Sequence, residues 1–561
     1  MLPNWPEVQS STWSRGLEAA FALFTAGLAS LAIVPLMIRL APRLGMVDQP
    51  AARKVHSYPI PRVGGWGIAA GVVSAILVWA PEDPIIVVYV WSIVVLFVFG
   101  AWDDRRELGH YVKFAGQALA VLPIVVLAGL YITRFPFIED ASVSTGVAMA
   151  FSVFALIGMT NAINHSDGLD GLAGGEAILS LVAMGFLAHQ AGGGLAVLIA
   201  VAVIGAVFGF LRYNTHPAVV FMGDSGSQVI GFSLGVLAVL LIERVDQSLS
   251  PAVAVLLLGL PVADILYVLY RRIRQHGNWF RATKNHVHHR LMERRFTHPE
   301  AVVIIYGIQI FFVVSGVVLR HASDWLLAGI YIGGCAIVFG GLHFAEKLEW
   351  YAPRRGDERG MWRWLGRGKR RKFILVELPR RFLEIAVPAY LVLTSFQIHE
   401  VPRAAGLTAI GLLCLFATLG LRLGDAQGML RRGTLFGVVA LVVYLSLGYG
   451  DESRGWLLTA ERICFAVLAL AVVVAVRYSP VRRHAEFRTT GMDYLIWLAV
   501  VVIAVAAGPL FQQPARFIVA LLILLYAVEL MITERRETRQ VLVPSALAAM
   551  AILATKAFVT A

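Results

Sequence analysis

An all-α, polytopic membrane protein is the fold class this sequence predicts, and three observations predict it. Of 561 residues 58% are hydrophobic and only 15% charged, with a mean hydropathy of +0.73, a balance soluble globular domains do not carry. The apolar residues fall in repeated runs of roughly 17 to 24 with short polar links, which is the length a helix needs to cross a bilayer and about twice that of a membrane strand. Lys and Arg gather in every second link, as topology signals do.

The first run, 16–41, follows the polar stretch Met1 to Arg15 and is long enough to span, so no cleaved leader is expected. Spans then follow at 64–81, 85–101, 114–132, 145–161, 172–189, 194–211, 219–242, 251–270, 300–319 and 324–343. These assign residues 1–345 to one membrane domain of about eleven helices. Residues 346–380 form a basic link with the core G-R-G-K-R-R-K, the natural domain junction, whose Arg363 to Lys372 run suits the anionic inner leaflet. Further spans at 381–397, 405–423, 434–450, 461–477, 492–508, 515–533 and 541–560 make residues 381–561 a second membrane region carrying no recognisable motif. The total is about eighteen transmembrane helices.

Orientation follows from the links. With the N-terminus outside, the basic residues Arg53, Lys54, Arg62, Arg105, Arg106, Lys113, Arg271 to Arg295 and Arg354 to Arg381 all fall on the cytoplasmic side. That also accounts for the net charge of +12 without nucleic acid as a partner. Cys335, Cys414 and Cys464 lie inside apolar runs, which argues against both a disulfide framework and a metal-ligand set.

Five polar clusters interrupt the apolar pattern, and all fall on the cytoplasmic side. The densest is Asn161 to Gly175, where Asn161, Asn164, Asp167 and Asp170 recur every third residue. On one unbroken helix each step turns about 300°, so the four cannot share a face. A helix end, a bend at Gly168 and Gly171, and a new helix from Leu172 are expected instead. Adjacent Asp103 and Asp104 point about 100° apart on a helix, so they should divide labour between a metal and a substrate oxygen. Asp224, between Gly223 and Ser225 at the start of a span, suits either a hard cation or a helix cap. Asp264 is an acid inside a span and suits either a structural or a site-shaping role. The stretch Asp48 to Gly65 offers Lys54 and Arg62 to an anion, and Phe280 to Leu291 offers His286, His288, His289 and Arg290. Imidazoles suit zinc, whereas the oxygen-only clusters elsewhere suit magnesium or manganese, so the histidines read better as donors to a diphosphate.

The ordered set R-K-V-H-x-x-P-I-P-R-V-G-G, D-D-x-x-x-L-x-x-x-x-K-x-x-x-Q, N-x-x-N-x-x-D-G-L-D-G-L-A, N-x-x-P-A-x-x-F-M-G-D-x-G-S and H-x-H-H-R-L resembles the polyprenyl-phosphate N-acetylhexosamine-1-phosphate transferases, glycosyltransferase family 4. The likeness is to the bacterial undecaprenyl-phosphate branch, and it covers about residues 16 to 345. It implies transfer of an N-acetylhexosamine 1-phosphate, with N-acetylglucosamine the first guess, from a UDP-sugar to undecaprenyl phosphate with release of UMP. It further implies Mg2+ or Mn2+ as cofactor, the bacterial inner membrane as location, membrane lipid as partner and a homodimer as assembly.

By motif position, Asp103, Asp104, Asp167 and His288 would be catalytic, and Asp104 and Asp224 would hold the metal. Lys54, Arg62, Lys113, Asn161, Asn164, Asp170, His286, His289 and Arg290 would bind substrate. Thr283 stands where this branch usually carries Asp. Direct attack by the lipid phosphate and a covalent aspartyl-phosphate at Asp103 are both compatible with these residues. A lipid-linked glycan flippase or secondary transporter is the competing reading, because intramembrane acids also mark transport paths.

Overall fold

The computed structural model of the protein describes residues 7–50, 58–138, 143–274, 285–352, 373, 377–398, 401–419, 426–449, 455–478, 512–534 and 536–559. The chain divides into two units, residues 1–353 with 490–506, and residues 354–489 with 507–561. Among the described residues ten helices are long and apolar enough to cross a bilayer, and the protein is a helical membrane protein.

In the first unit the helices are α1 (Glu7–Leu44), α2 (Gly64–Trp79), α3 (Pro84–Arg106), α4 (His110–Val126), α5 (Thr145–Ser166), α6 (Leu172–Gln190), α7 (Gly194–Asn214), α8 (Gly223–Leu240), α9 (Pro251–Arg274), the short α10 (Val287–Glu293), α11 (His298–Val318) and α12 (Asp324–Lys347). Each of the eleven apolar runs expected here is a helix, while α2 and α4 are shorter than the rest. A two-residue antiparallel pair, Val47–Asp48 with Ile60–Pro61, joins the ends of the link between α1 and α2.

The unit is organised around α8. Its whole apolar length is buried, as expected of a helix that is apolar on all sides rather than along one stripe. It packs on α5, α3 and α2, while α7 carries α1, α2 and α6. Glycines and alanines at these crossings let the backbones approach closely, as at Gly71 against Ala26 and Ala206.

At the end of the bundle away from the polar motifs, polar groups close on themselves. Glu243, in the π-helical turn Leu241–Val245 that ends α8, accepts from the Thr133 and Arg134 amides at 3.1 and 3.3 Å. Arg134 in turn caps the carbonyls of Ile242, Gln247 and Leu249.

Helix α9 breaks in mid-course. Gly259 has φ 51° and ψ −123°, two residues before Pro261. The freed groups find partners on other helices: the Leu260 amide donates to Gln309 Oε1 at 2.8 Å, and the Gly259 carbonyl accepts from Tyr331 at 3.1 Å. Gln309 Nε2 also donates to Ser180 Oγ at 2.9 Å, so α6, α9 and α11 meet there.

In the second unit α13 (Leu378–Gln397), α14 (Arg403–Leu419), α15 (Ala426–Tyr449), α16 (Gly455–Tyr478), α17 (Gln512–Glu534) and α18 (Arg536–Val559) are helical. Helix α18 packs on α13 and α14, and α15 packs on α17. Lys556 donates to the carbonyls of Ser395, Phe396 and Ile398 at 3.2, 2.7 and 2.7 Å, a cationic cap on the end of α13. The basic run Arg363 to Lys372 and the span expected at 492–508 lie outside the described residues.

Candidate functional site

The first turn of α8 is where the distant motifs meet. Phe221 donates its amide to the Pro61 carbonyl at 2.8 Å, and Gly64 and Gly65 donate theirs to Phe221 and Met222 at 2.9 Å, laying P-R-V-G-G along F-M-G-D. Asn214 accepts from the Gly171 amide at 2.9 Å and donates to the Val220 carbonyl at 2.9 Å, which ties the turn between α5 and α6 to the same loop.

A helix start leaves amides without intrahelical partners and favours a negative charge. Here the charge comes from another helix. Asp104, on the last turn of α3, accepts from the Asp224 amide at 2.8 Å, the Ser225 amide at 3.1 Å and Ser225 Oγ at 2.8 Å. Gly223 makes this possible: it has φ +73°, and a Cβ there would lie 2.6 Å from both Asp104 oxygens. Asp104, expected among the metal ligands, thus spends both oxygens as the cap of α8.

Asp103 faces a different way. Its Oδ2 accepts from Lys113 Nζ at 2.7 Å and its Oδ1 from the Leu108 amide at 2.6 Å. Lys113 Nζ also meets Asp224 Oδ2 at 2.9 Å, so one ammonium sits between Asp103 and Asp224. Asn164 completes the group, donating to Asp224 Oδ1 at 3.0 Å and Ser227 Oγ at 2.8 Å.

Asp167, on the turn after α5, lies in the field of the same acids. Burial, and then the negative charges of Asp224, Asp104 and Asp170, push its carboxyl up to about 7. Of these four acids Lys113 meets Asp103 and Asp224, while Asp104 and Asp167 lie in the same field without that ammonium, an arrangement that draws a further cation. The donors are hard carboxylate oxygens, which fits magnesium or manganese, and the pair positioned to share an ion is Asp103 and Asp224.

The predicted break is where the spacing placed it: α5 ends at Ser166 and α6 begins at Leu172. Of the four evenly spaced side chains, however, only Asn164 and Asp167 join the acids. Asn161 forms a reciprocal amide pair with Gln117, at 2.9 and 3.3 Å, that clips α5 to α4.

Asp170 turns to His216 Nδ1 at 2.7 Å and the Ala218 amide at 3.1 Å, and its own amide donates to His298 Nε2 at 3.0 Å. Burial alone would raise its pKa, but these partners outweigh that and hold Asp170 below the ordinary value. Its carboxylate and the two imidazoles bring ligand atoms within 4.8 Å of one another, a spacing a metal could use. Because His298 Nε2 already receives the Asp170 amide, the arrangement reads as a hydrogen-bonded brace. Asp170→Asn is accordingly expected to lower stability by about 1–3 kcal/mol, read by thermal unfolding. EDTA is expected to shift the transitions of wild type and Asp170→Asn alike, through the acids around α8; a chelator-induced drop that Asp170→Asn abolishes would make this a metal centre.

The histidine arm reaches the same region from the other side. Asp264, on the second half of α9, meets His286 Nδ1 at 2.7 Å and accepts the Val287 amide at 3.0 Å, so it both orients an imidazole and caps α10. His286 stacks on His165 of α5, with ring centroids 5.3 Å apart. The His288 ring lies so close against Gly168 that a Cβ there would collide with Nε2. Burial, and then the neighbouring His289, His286 and His165, hold His288 well below the usual imidazole range, so it stays neutral at pH 7.

Arg290, expected as a diphosphate ligand, is instead buried against Glu346 and the Tyr267 ring. Arg62 is paired with Asp48. Lys54 and Thr283 lie outside the described residues. The motif reading passed over Ser225, Ser227, Gln117, His165 and His216, all inside or beside the quoted motifs, and His298, whose isolated position gave no pattern to read.

The sequence profile described as glycosyl transferase family 4 matches residues 86–242. The chain is 35% identical over 316 residues to the probable undecaprenyl-phosphate N-acetylglucosaminyl 1-phosphate transferase of Bacillus subtilis, covering 56% of this chain and 88% of that protein. It is 30% identical over 312 residues to the undecaprenyl-phosphate alpha-N-acetylglucosaminyl 1-phosphate transferase of Yersinia pestis, covering 54% and 86%. It is 32% identical over 335 residues to the decaprenyl-phosphate N-acetylglucosaminephosphotransferase of Mycobacterium tuberculosis, covering 53% and 82%.

Proposed function

From the premise that the chain belongs to glycosyl transferase family 4, we propose that it transfers N-acetylglucosamine 1-phosphate from UDP-N-acetylglucosamine to undecaprenyl phosphate, releasing UMP and starting a cell-envelope glycan. The observation that carries this is the convergence of Asp103, Asp224, Lys113 and Asn164 at the buried start of α8. The relatives' names favour a transferase over a flippase.

Asp103 and Asp224 would hold the metal, which would neutralise the donor diphosphate and polarise the phosphorus under attack. Asp104 keeps Asp224 in place by capping α8. Lys113 holds the two ligand carboxylates together and offers the donor a positive charge when they turn to the ion. His288 and His289, on the arm against the α5–α6 turn, donate to the departing UMP phosphate. A phosphate monoester has a second pKa near 6, so the lipid phosphate is largely dianionic at pH 7 and its oxygen attacks the sugar-linked phosphorus with little need of a base. This favours direct in-line attack over an aspartyl-phosphate.

The rest of the proposal is about eighteen spans from the apolar runs, the N-terminus outside and the site on the cytoplasmic face from basic-residue parity, and a bacterial inner membrane from the likeness to bacterial relatives. Residues 1–345 would form the transferase domain, 346–380 a basic cytoplasmic linker and 381–561 an additional membrane domain, with the chain acting as a homodimer.

Purified full-length protein given undecaprenyl phosphate, UDP-N-acetylglucosamine and Mg2+ is expected to release UMP. EDTA should abolish the release and Mg2+ or Mn2+ restore it. Silence with every UDP-N-acetylhexosamine, alongside measurable movement of a lipid-linked glycan in liposomes, would move the assignment to the flippase.

A further inference from the structure

The inward turn of Arg290 leaves a question of purpose. The residue sits in the middle of α10, two positions after His288, yet its side chain is only 2% exposed and is paired with Glu346 of α12. Its Nε donates to Glu346 Oε1 at 2.6 Å, and its guanidinium lies 5.3 Å from the centre of the Tyr267 ring, itself stacked on Phe339 at 4.1 Å. Among the described residues Glu346 is the one carboxylate within 4.0 Å of it. A desolvated guanidinium held by one carboxylate is a fixed point, because removing the carboxylate leaves a buried charge uncompensated.

Glu346 belongs to a longer fastening. The chain past the end of α12 folds back along the arm: Ala352 donates its amide to the Arg294 carbonyl at 2.9 Å. The guanidinium groups of Arg294 and Arg295 lie 4.9 and 4.6 Å from the Tyr351 ring, and Phe296 meets Trp350 at 6.2 Å. The arm is therefore held at both ends, by Asp264 where it begins and by the segment 346–352 where it finishes. His288 and His289 lie between the two fastenings.

We propose that Glu346 is a positioning residue for the transfer reaction: through Arg290 it sets the height at which α10 presents His288 and His289 to the phosphates of the donor. The segment 346–352 works as a strap over the arm, so the point where the first unit hands the chain on is built into the donor site. This rests on the assignment of the histidine arm to donor phosphate binding.

Glu346→Gln keeps the shape of the side chain and removes its charge. In full-length protein the KM for UDP-N-acetylglucosamine is expected to rise about tenfold, with kcat and the KM for undecaprenyl phosphate within about twofold of wild type. Glu346→Asp should recover part of the loss. Tyr351→Leu, at a ring 41% exposed, should shift the same constant in the same direction by a smaller factor. Amide exchange over residues 287–294 should quicken in Glu346→Gln while exchange in α8 stays unchanged.

A wild-type KM for the donor in both Glu346→Gln and Tyr351→Leu, or unchanged exchange in the arm, overturns the proposal. So does an equal fall in kcat for both substrates with no change in either KM, because that marks a general loss of fold. Absence of UMP release from the wild-type protein with any UDP-sugar is a separate failure, and it removes the reading of the site itself.

Discussion

Asp224→Asn is expected to lower kcat by about a thousandfold or more, while the protein unfolds at the same temperature as wild type or slightly above it. The asparagine keeps the size of the side chain and its approach to Asn164, but it removes the charge that Lys113 answers to and that the proposed divalent ion would need. Losing one metal-facing carboxylate costs several kcal/mol of transition-state stabilisation, and each 1.36 kcal/mol is about a factor of ten. Stability should not fall, because Asp103, Asp104 and Asp167 then have one like charge fewer to oppose. Asp103→Asn should behave alike. Asp104→Asn should differ: an amide in place of the capping carboxylate turns a donor toward the Asp224 and Ser225 amides, so unfolding temperature and activity should fall together. Release of UMP and a thermal melt, taken on the same preparations, separate the two classes. Wild-type turnover in Asp224→Asn at saturating Mg2+ would remove the ion from that residue.

Gly223→Ala should be nearly as damaging through one added methyl. The backbone there has φ +73°, a region that costs an L-residue roughly 1–2 kcal/mol, and the new Cβ would press within 2.6 Å of both Asp104 oxygens. Asp104 has to retreat, and the first turn of α8 loses the cap that aims Asp224. A displacement of about 1 Å at a reacting centre costs on the order of a hundredfold. Activity is therefore expected to drop about a hundredfold or more, with a thermal transition several degrees lower. Ordinary kinetics in the Gly223→Ala variant would mean that the cap is dispensable.

Much of this site was legible in the chain because its logic is local. Four residues spaced three apart drift around a helix and cannot all share one face, so the break between α5 and α6 followed from Asn161 to Asp170 and two glycines. Adjacent acids on a helix diverge, so different partners for Asp103 and Asp104 followed too, although the partner that each one found did not. That depended on a helix start 120 residues away, as did the capping of α8, and no spacing rule reaches so far. Asp170 looked like its neighbours in sequence and was drawn off by His216 and His298, 46 and 128 residues downstream. Arg290 was misplaced for a related reason. Motif position placed it with the histidines, while burial against Tyr267 and Glu346 is decided by helices whose packing the sequence does not announce.

The break in α9 also bears on the order in which the chain can assemble. A helix entering the bilayer with all its amides paired is stable alone, but one broken at Gly259 exposes the Leu260 N–H and the Gly259 carbonyl to hydrocarbon, where each unsatisfied group costs several kcal/mol. The partners that close the gap, Gln309 and Tyr331, are synthesised 49 and 72 residues later. Until α11 and α12 have emerged, this stretch has two ways to remain in the membrane: as a straighter helix with Gly259 in ordinary helical conformation, or sheltered by the insertion machinery. The bend is then acquired only when α11 and α12 arrive. Asp264 and the histidine arm it anchors lie beyond the bend, so the arm is completed late in biogenesis, after the acid cluster around α8 has had its chance to form.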